Sequence, residues 1–380
     1  MIFTLPTTDV RVQGPLLYLR EFFKDNTLVL LDEDTNGHNY NQWLNQFDKI
    51  KNFVADNNIK TIVVHAGINP VQLDWSQNSY PTFVEIQKQL STITTTHVLT
   101  GDFFYYYNPA PGIVFFPTFI WLNSSKRMGE FFADRANTVY DINFEPKTKT
   151  LMCLNSNTPW HRIYLFSLLA GKAWFNNIGY SFHARTGHQL NLSFQDRLRE
   201  FAITQFMSPE EIALAESYAH LLPVTLPEDN ILDKRKSSVH SWIYRSYAIN
   251  LATETSLTEG VMLTEKICKA FTAYQIPVLI APAGSSQFLE DLGIDMFSDY
   301  IPWKTWDSVA DHKTRIGLIV DFLDHLFSSS TNEQDILSAH RSFQSRLIKN
   351  KQHFHSKEFE NLLLEQIKSC TNQDTCESCQ

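Results

Sequence analysis

With 380 residues, 43% apolar and 13% aromatic, the chain holds more apolar material than one ordinary core accommodates. Two folded domains of roughly 100–200 residues are expected, and disorder over most of the length is excluded. A formal net charge of -9 argues against a nonspecific grip on a long nucleic-acid backbone, yet it permits a small phosphorylated ligand held by one or two cations at a helix terminus.

The opening MIFTLPTTDVRVQGP lacks a basic start followed by a continuous apolar run. The apolar stretch GIVFFPTFIWL at 112–122 is far shorter than the roughly 20 residues that cross a bilayer. An intracellular, cytoplasmic chain is the expectation, with peripheral membrane attachment and oligomeric state left open. Five cysteines are sparse: Cys153 and Cys268 stand in apolar contexts as buried thiols, while Cys370, Cys376 and Cys379 crowd a polar tail. The C-x-x-C of Cys376 and Cys379 has no second pair or nearby histidine to complete a zinc signature, so a frayed tail is expected there, with a metal site as the alternative.

In chain order, residues 26–31 (NTLVLL) form a strand that ends in the acidic turn 32–37. Asp32 and Asp34 formally make an Asp-x-Asp, read here as a solvated turn. Helical spacing through Trp43, Phe47, Ile50, Phe53 and Val54 predicts a helix over 40–57. A buried strand follows at 60–65 (KTIVVH), then a helix at 82–90 and a strand at 96–99. This alternation favours an open α/β sheet. The polar stretch 141–149 (DINFEPKTK) is the expected boundary, giving domains at 1–145 and 146–330, terminal helices within 331–369 and a tail at 370–380.

The pattern then restarts: a strand at 150–154, a helix at 159–170, a strand at 178–182, and helical segments over 193–206 and 209–222. Residues 227–238 read as a surface loop. A second βαβ unit covers 248–280, with AINLAT as its first strand, a helix from about Thr264 and a closing strand at 277–280. The apolar stripe Ile316, Ile319, Phe322 and Leu326 predicts a helix over 311–327, and two terminal helices are expected at 333–349 and 356–369.

Two segments can seat an anion. In ETSLTEGVMLTEK (254–266), Thr264 suits an N-cap, and Ile267, Ala270, Phe271 and Tyr274 give the buried face. Lys266 then stands near the positive helix end, where it can meet phosphate; Glu265 can accept from ribose hydroxyls. The competing reading is a capped helix with two solvated charges. In CLNSNTPWHRIYLFSLLA (153–170), Thr158 and Pro159 suit an N-cap and first helical position, so Arg162 falls in the first turn, where its fork can meet two phosphate oxygens or simply lie on an exposed helix face. His161 reads as a surface or satisfied histidine, with a catalytic role as the alternative.

These two segments resemble the inverting fucosyltransferases and related glycosyltransferases. The resemblance rests on Glu254, Thr255 and Ser256 followed by Thr264, Glu265 and Lys266, on the downstream IPVLIAP, and on SNTPWHR upstream; Thr255 stands where the family signature has Asn. It implies two Rossmann-like domains facing a cleft, the GT-B-like arrangement, and inverting sugar transfer from a nucleotide-diphosphate donor, GDP-linked by preference, to a hydroxyl of a glycan or other acceptor. It further implies that Arg162 and Lys266 hold the diphosphate, Glu265 the ribose, and Glu254 the sugar side, without a metal or bound cofactor. A general base is required; Asp102, in TGDFFYYYNP, and His65, in VVHAGINP, follow strands where α/β folds present ligand loops. Either can equally serve only to shape its turn. No G-x-G-x-x-G, G-x-x-x-x-G-K-[ST] or G-x-S-x-G is present. A binding protein that has lost turnover is the alternative.

Overall fold

A computed structural model of the chain describes residues 2–3, 27–32, 40–66, 80–100, 110–117, 120–121, 124, 143–185, 194–224, 241–254, 257, 263–328 and 333–371. It is an α/β protein of two units. One comprises Met1–Ala136, Thr258–Leu263 and His355–Gln380; the other comprises Asn137–Leu257 and Thr264–Phe354.

The first unit carries β1 (Ile2–Phe3), β2 (Thr27–Asp32), α1 (Tyr40–Asp56), β3 (Thr61–Ala66), α2 (Tyr80–Ser91), β4 (Thr95–Thr100) and β5 (Ile113–Phe115). Its strands are all parallel and stand in chain order, β1 to β5, without reversal. Burial of Leu28, Ile62, Val63, Val64, Val98 and Leu99 is what parallel strands require, since crossovers cover their faces. Gly112 precedes β5 at φ +72, and a Cβ there would lie 2.4 Å from Gln87 of α2. The left-handed conformation is what favours glycine here, since the end of the flexible Gln87 side chain could move aside.

The second unit carries β6 (Lys149–Asn157), α3 (Trp160–Ala170), β7 (Gly179–Arg185), α4 (Phe194–Ile203), α5 (Pro209–Ser217), α6 (Ser241–Ser246), β8 (Tyr247–Thr253), α7 (Glu265–Thr272), β9 (Ile276–Ile280), α8 (Ser285–Asp291), α9 (His312–Ser328), α10 (Glu333–Ser342) and α11 (Gln344–Phe354). The last helix, α12 (Lys357–Thr371), belongs to the first unit and packs on β5. The second sheet is also parallel, but its order is β7-β6-β8-β9. From β6 the chain goes to one side for β7, then returns to the other for β8 and β9. Every residue of β8 and β9 is buried, and Pro277, which lacks an N–H, is tolerated because β9 is an edge strand.

Several elements differ from the sequence reading. Residues 333–349 do not form one helix: α10 stops at Ser342 and α11 restarts at Gln344. The stretch after β9 contains the helix α8, and α6 precedes β8 directly. The short strands β1 and β5 had no sequence counterpart. Cys153 and Cys268 are buried free thiols; Cys376 and Cys379 lie outside the described residues, as do Glu33 and Asp34. Among the described residues no helix is long and apolar enough to cross a membrane.

Candidate functional site

In open α/β sheets, ligands bind beyond the carboxyl ends of the strands, where strand order reverses. Among the described strands that reversal occurs once, between β6 and β8 of the second unit. The segments leaving these two strands are the ones that carry His161 and Arg162 on one side, and Glu254, Thr264 and Lys266 on the other.

Glu254 follows β8 directly and is fully buried. Its N–H donates to the carbonyl of Ile280, the last residue of β9, at 2.9 Å. Its own carbonyl accepts from Nε2 of His161 at 3.0 Å and from the Arg162 guanidinium at 3.2 Å. Its carboxylate accepts the N–H of Thr264 at 3.0 Å and the Thr264 hydroxyl at 2.5 Å. The Thr264 oxygen in turn accepts from Nζ of Lys266 at 2.8 Å, and that ammonium lies 3.5 Å from the Glu254 carboxylate. A buried carboxylate is costly unless paired and bonded; here two hydrogen bonds and one ammonium meet it.

Thr264 is the N-cap of α7, its oxygen accepting from the Lys266 N–H. A lysine in the first turn is disfavoured by the helix dipole, and the Glu254 carboxylate is the compensation. The Lys266 side chain keeps 23% of its surface exposed. Of the charges weighed at this helix start, Lys266 is therefore a paired ammonium at the surface rather than a solvated one.

Arg162 has a different setting from the one expected. It falls in the first turn of α3, whose N-cap is Pro159 rather than Thr158, but the side chain is buried and not on an exposed face. One terminal nitrogen donates to the carbonyls of Thr253 at 3.0 Å and Glu254 at 3.2 Å. The guanidinium thus stitches the end of β8 to the start of α3. His161, beside it, is held neutral: burial, with Arg162 adding to it, lowers its pKa to about 3, and as donor to a carbonyl its Nε2 carries the proton. Below them Cys153 contacts the Thr253 hydroxyl at 3.7 Å, and burial pushes its thiol up to about 11, far from the thiolate needed for nucleophilic chemistry.

A second helix start at this edge is already filled from within. The carboxylate of Asp307 accepts the N–H groups of Ser286 and Gln287, both at 3.0 Å, in the first turn of α8. Burial raises the Asp307 pKa. That internal carboxylate takes the position an external anion would need at the start of α8.

Thr255 and Ser256 lie outside the described residues, as does Asp102, two positions beyond β4. Glu265 opens α7 and His65 lies inside β3, paired in register with Leu31 and Leu99, rather than after the strand; the side chains of both lie outside the described part. What the sequence reading missed is mainly main chain: the carbonyls of Thr253, Glu254 and Ile280 carry no residue-type signal.

No family model matches the chain, and no curated protein does. Solved structures of similar trace include an α,α-trehalose 6-phosphate synthase from Burkholderia multivorans, at 11% identity and TM-score 0.40 over 95% of this chain and 74% of that one. The N-terminal domain of a Candida albicans trehalose-6-phosphate phosphatase aligns at 12% identity and TM-score 0.42, covering 97% and 96%. A UDP-GlcNAc 2-epimerase from Neisseria meningitidis, bound to UDP-GlcNAc, aligns at 9% identity and TM-score 0.36, covering 92% and 99%. Likenesses of this size identify neither a family nor an activity; the α/β class rests on the two parallel sheets themselves.

Proposed function

We propose that the chain is a nucleotide-sugar-dependent glycosyltransferase whose donor diphosphate sits at the β6–β8 reversal, against the first turn of α7 and Lys266. One observation carries the reading. The point where the strand order of the second sheet reverses coincides with a helix start that bears a partly exposed ammonium held by a buried carboxylate. Phosphate arriving there meets Lys266, which can exchange part of its contact with Glu254 for a phosphate oxygen, and the helix dipole adds to the attraction.

In the transfer itself, an acceptor hydroxyl attacks the anomeric carbon and the bond to the diphosphate oxygen breaks. The hydroxyl proton passes to a base, for which Asp102 and His65 are the candidates, and configuration inverts. Lys266 and the α7 N–H groups stabilise the charge that grows on the departing diphosphate, an arrangement that assigns no step to a metal. The sequence resemblance favours a GDP-linked donor. Arg162 acts here as the brace of the Glu254 turn, not as a direct phosphate ligand.

That engagement of Arg162 with main-chain oxygens favours one second reading: nucleotide-sugar binding without transfer, since only one of the two cations, Lys266, keeps part of its side chain exposed. A thermal-shift panel of GDP-, UDP- and CDP-linked sugars tests the donor site, because preferential binding to the folded state raises Tm. One nucleotide class should stabilise the protein, and Lys266→Ala should abolish most of that shift while leaving the ligand-free Tm within a few degrees. No response to any nucleotide sugar, or an equal response in the variant, sinks the donor-site reading. Binding without turnover across glycan acceptors would select the second reading.

A further inference from the structure

α7 spans eight residues, about 12 Å of helix. A helix of two turns does not sustain itself and depends on what holds its ends. Its beginning is held by Glu254 through Thr264. Its end is held from three other segments. Lys147, buried in the approach to β6, donates from Nζ to the carbonyl of Ala273, the C-cap of α7, at 2.8 Å, and to that of Tyr244 in α6 at 3.2 Å. His340 of α10 donates from Nε2 to the carbonyl of Tyr274 at 2.8 Å. Tyr274 takes the left-handed conformation, φ 55, usually left to glycine at a helix end. Phe144 lies parallel to the His340 ring at 5.7 Å and edge-on to Tyr274 at 5.6 Å, and Lys351 of α11 sits 4.5 Å from the Tyr274 ring centroid.

We propose that Lys147 and His340 are positioning residues for the Thr264–Lys266 turn: by fixing the carbonyls of Ala273 and Tyr274, which directly follow α7, they set where its first N–H groups and Lys266 stand. The bearing on donor binding rests on the function proposed above, whereas the clamp itself does not and is tested without ligand.

The clamp is linked to protons. Burial lowers the Lys147 pKa to about 7; Glu145 pulls it upward, and Arg245 of α6 and Lys351 of α11 push it further down. Burial likewise lowers His340 to about 4, the bond to Tyr274 opposing this and Lys147 and Arg341 adding to it. Both groups are favoured neutral when the clamp is closed. An opened Lys147 holds its proton up to its ordinary pKa of about 10.5, so between about pH 7 and 10.5 the open form binds more protons. Closure therefore strengthens as pH rises through that window and weakens as pH falls toward 7.

Amide hydrogen exchange, corrected for intrinsic rate, reads this directly from pH 7 to 9. In the wild-type chain, protection of the amides of Lys266 to Phe271 should rise with pH, by up to about tenfold per pH unit for one linked proton, while the amides of β9 change less. In Lys147→Met the protection of α7 should be lower and flat with pH. Lys147→Gln, which keeps amide donors and does not titrate in this range, carries the same comparison if the methionine variant does not fold. The proposal is overturned if the variant keeps the wild-type pH slope, if β9 shares the slope equally, or if Lys266 shows none. Loss of nucleotide-sugar binding with an intact exchange pattern would count against the proposed function and leave the clamp standing.

Discussion

The carboxylate of Glu254 grips Thr264 twice, through the main-chain N–H at 3.0 Å and the side-chain hydroxyl at 2.5 Å. Both residues are buried, so this bond pair fastens the end of β8 to the start of α7.

Glu254→Gln keeps the shape of the side chain but removes the charge that both the Thr264 hydroxyl and Lys266 rely on. Hydrogen bonds to ionised groups contribute about 1.5–3 kcal/mol, and a loss within that range is expected from chemical denaturation. Thr264→Val removes the hydroxyl alone. Because the two changes disrupt one shared contact, the double variant should lose less than the sum of the singles. Additive losses would show that the contact contributes little.

Arg162 and Lys266 should separate by the kind of damage they cause. Arg162→Met leaves the Thr253 and Glu254 carbonyls without their buried cationic donor, so it should cost on the order of 3 kcal/mol without any ligand present. Lys266→Ala deprives the buried Glu254 carboxylate of its ammonium, but the opening at this partly exposed side chain admits water in its place, so the loss of ligand-free stability should be smaller, about 1–2 kcal/mol. Unfolding curves of the two variants in buffer alone make the comparison. Equal losses would place Lys266 among the braces rather than the ligand contacts.

Acid should destabilise the second unit through two of its buried histidines. His161, at about 3, and His340, at about 4, lie below the ordinary histidine value of 6.5, so the unfolded chain binds the extra protons. Stability contributed by their neutral forms is fully present above pH 6.5 and is lost as pH falls through 6.5 toward 4. Denaturation midpoints measured from pH 7 to 4.5 should decline, and His161→Gln together with His340→Gln should flatten that decline. A decline of unchanged slope in the double variant would assign the acid sensitivity elsewhere.

Much of the second unit is written in its periodicity. AINLAT and IPVLI are apolar runs that only a doubly covered strand accommodates, and Thr264 before Ile267, Ala270 and Phe271 predicts both the cap and the buried face of α7. The break between α10 and α11 has no such mark, because no Gly or Pro interrupts 333–354 and the apolar spacing runs on through it. Lys147 is the sharper case. It stands in a polar stretch that reads as a linker, yet it is buried because the carbonyls ending α6 and α7 converge on it, and convergence of main-chain groups leaves no trace in residue types. The same applies to Arg162, whose partners are carbonyls contributed by a strand some ninety positions away. The reversal of strand order that marks the site is likewise a property of pairing, not of any single segment.

The return of α12 to the first unit has a temporal consequence. The strand β5, at the edge of the described sheet, ends at Phe115, whereas the helix that packs on it begins at Lys357, roughly 240 residues later, about 12–48 s at ordinary elongation rates. During that interval the nascent first unit exposes part of its apolar edge, and the second unit can complete its own core ahead of it. A released chain truncated after Phe354 should accordingly be an aggregation-prone client for chaperones, with its later-made half the more protease-resistant.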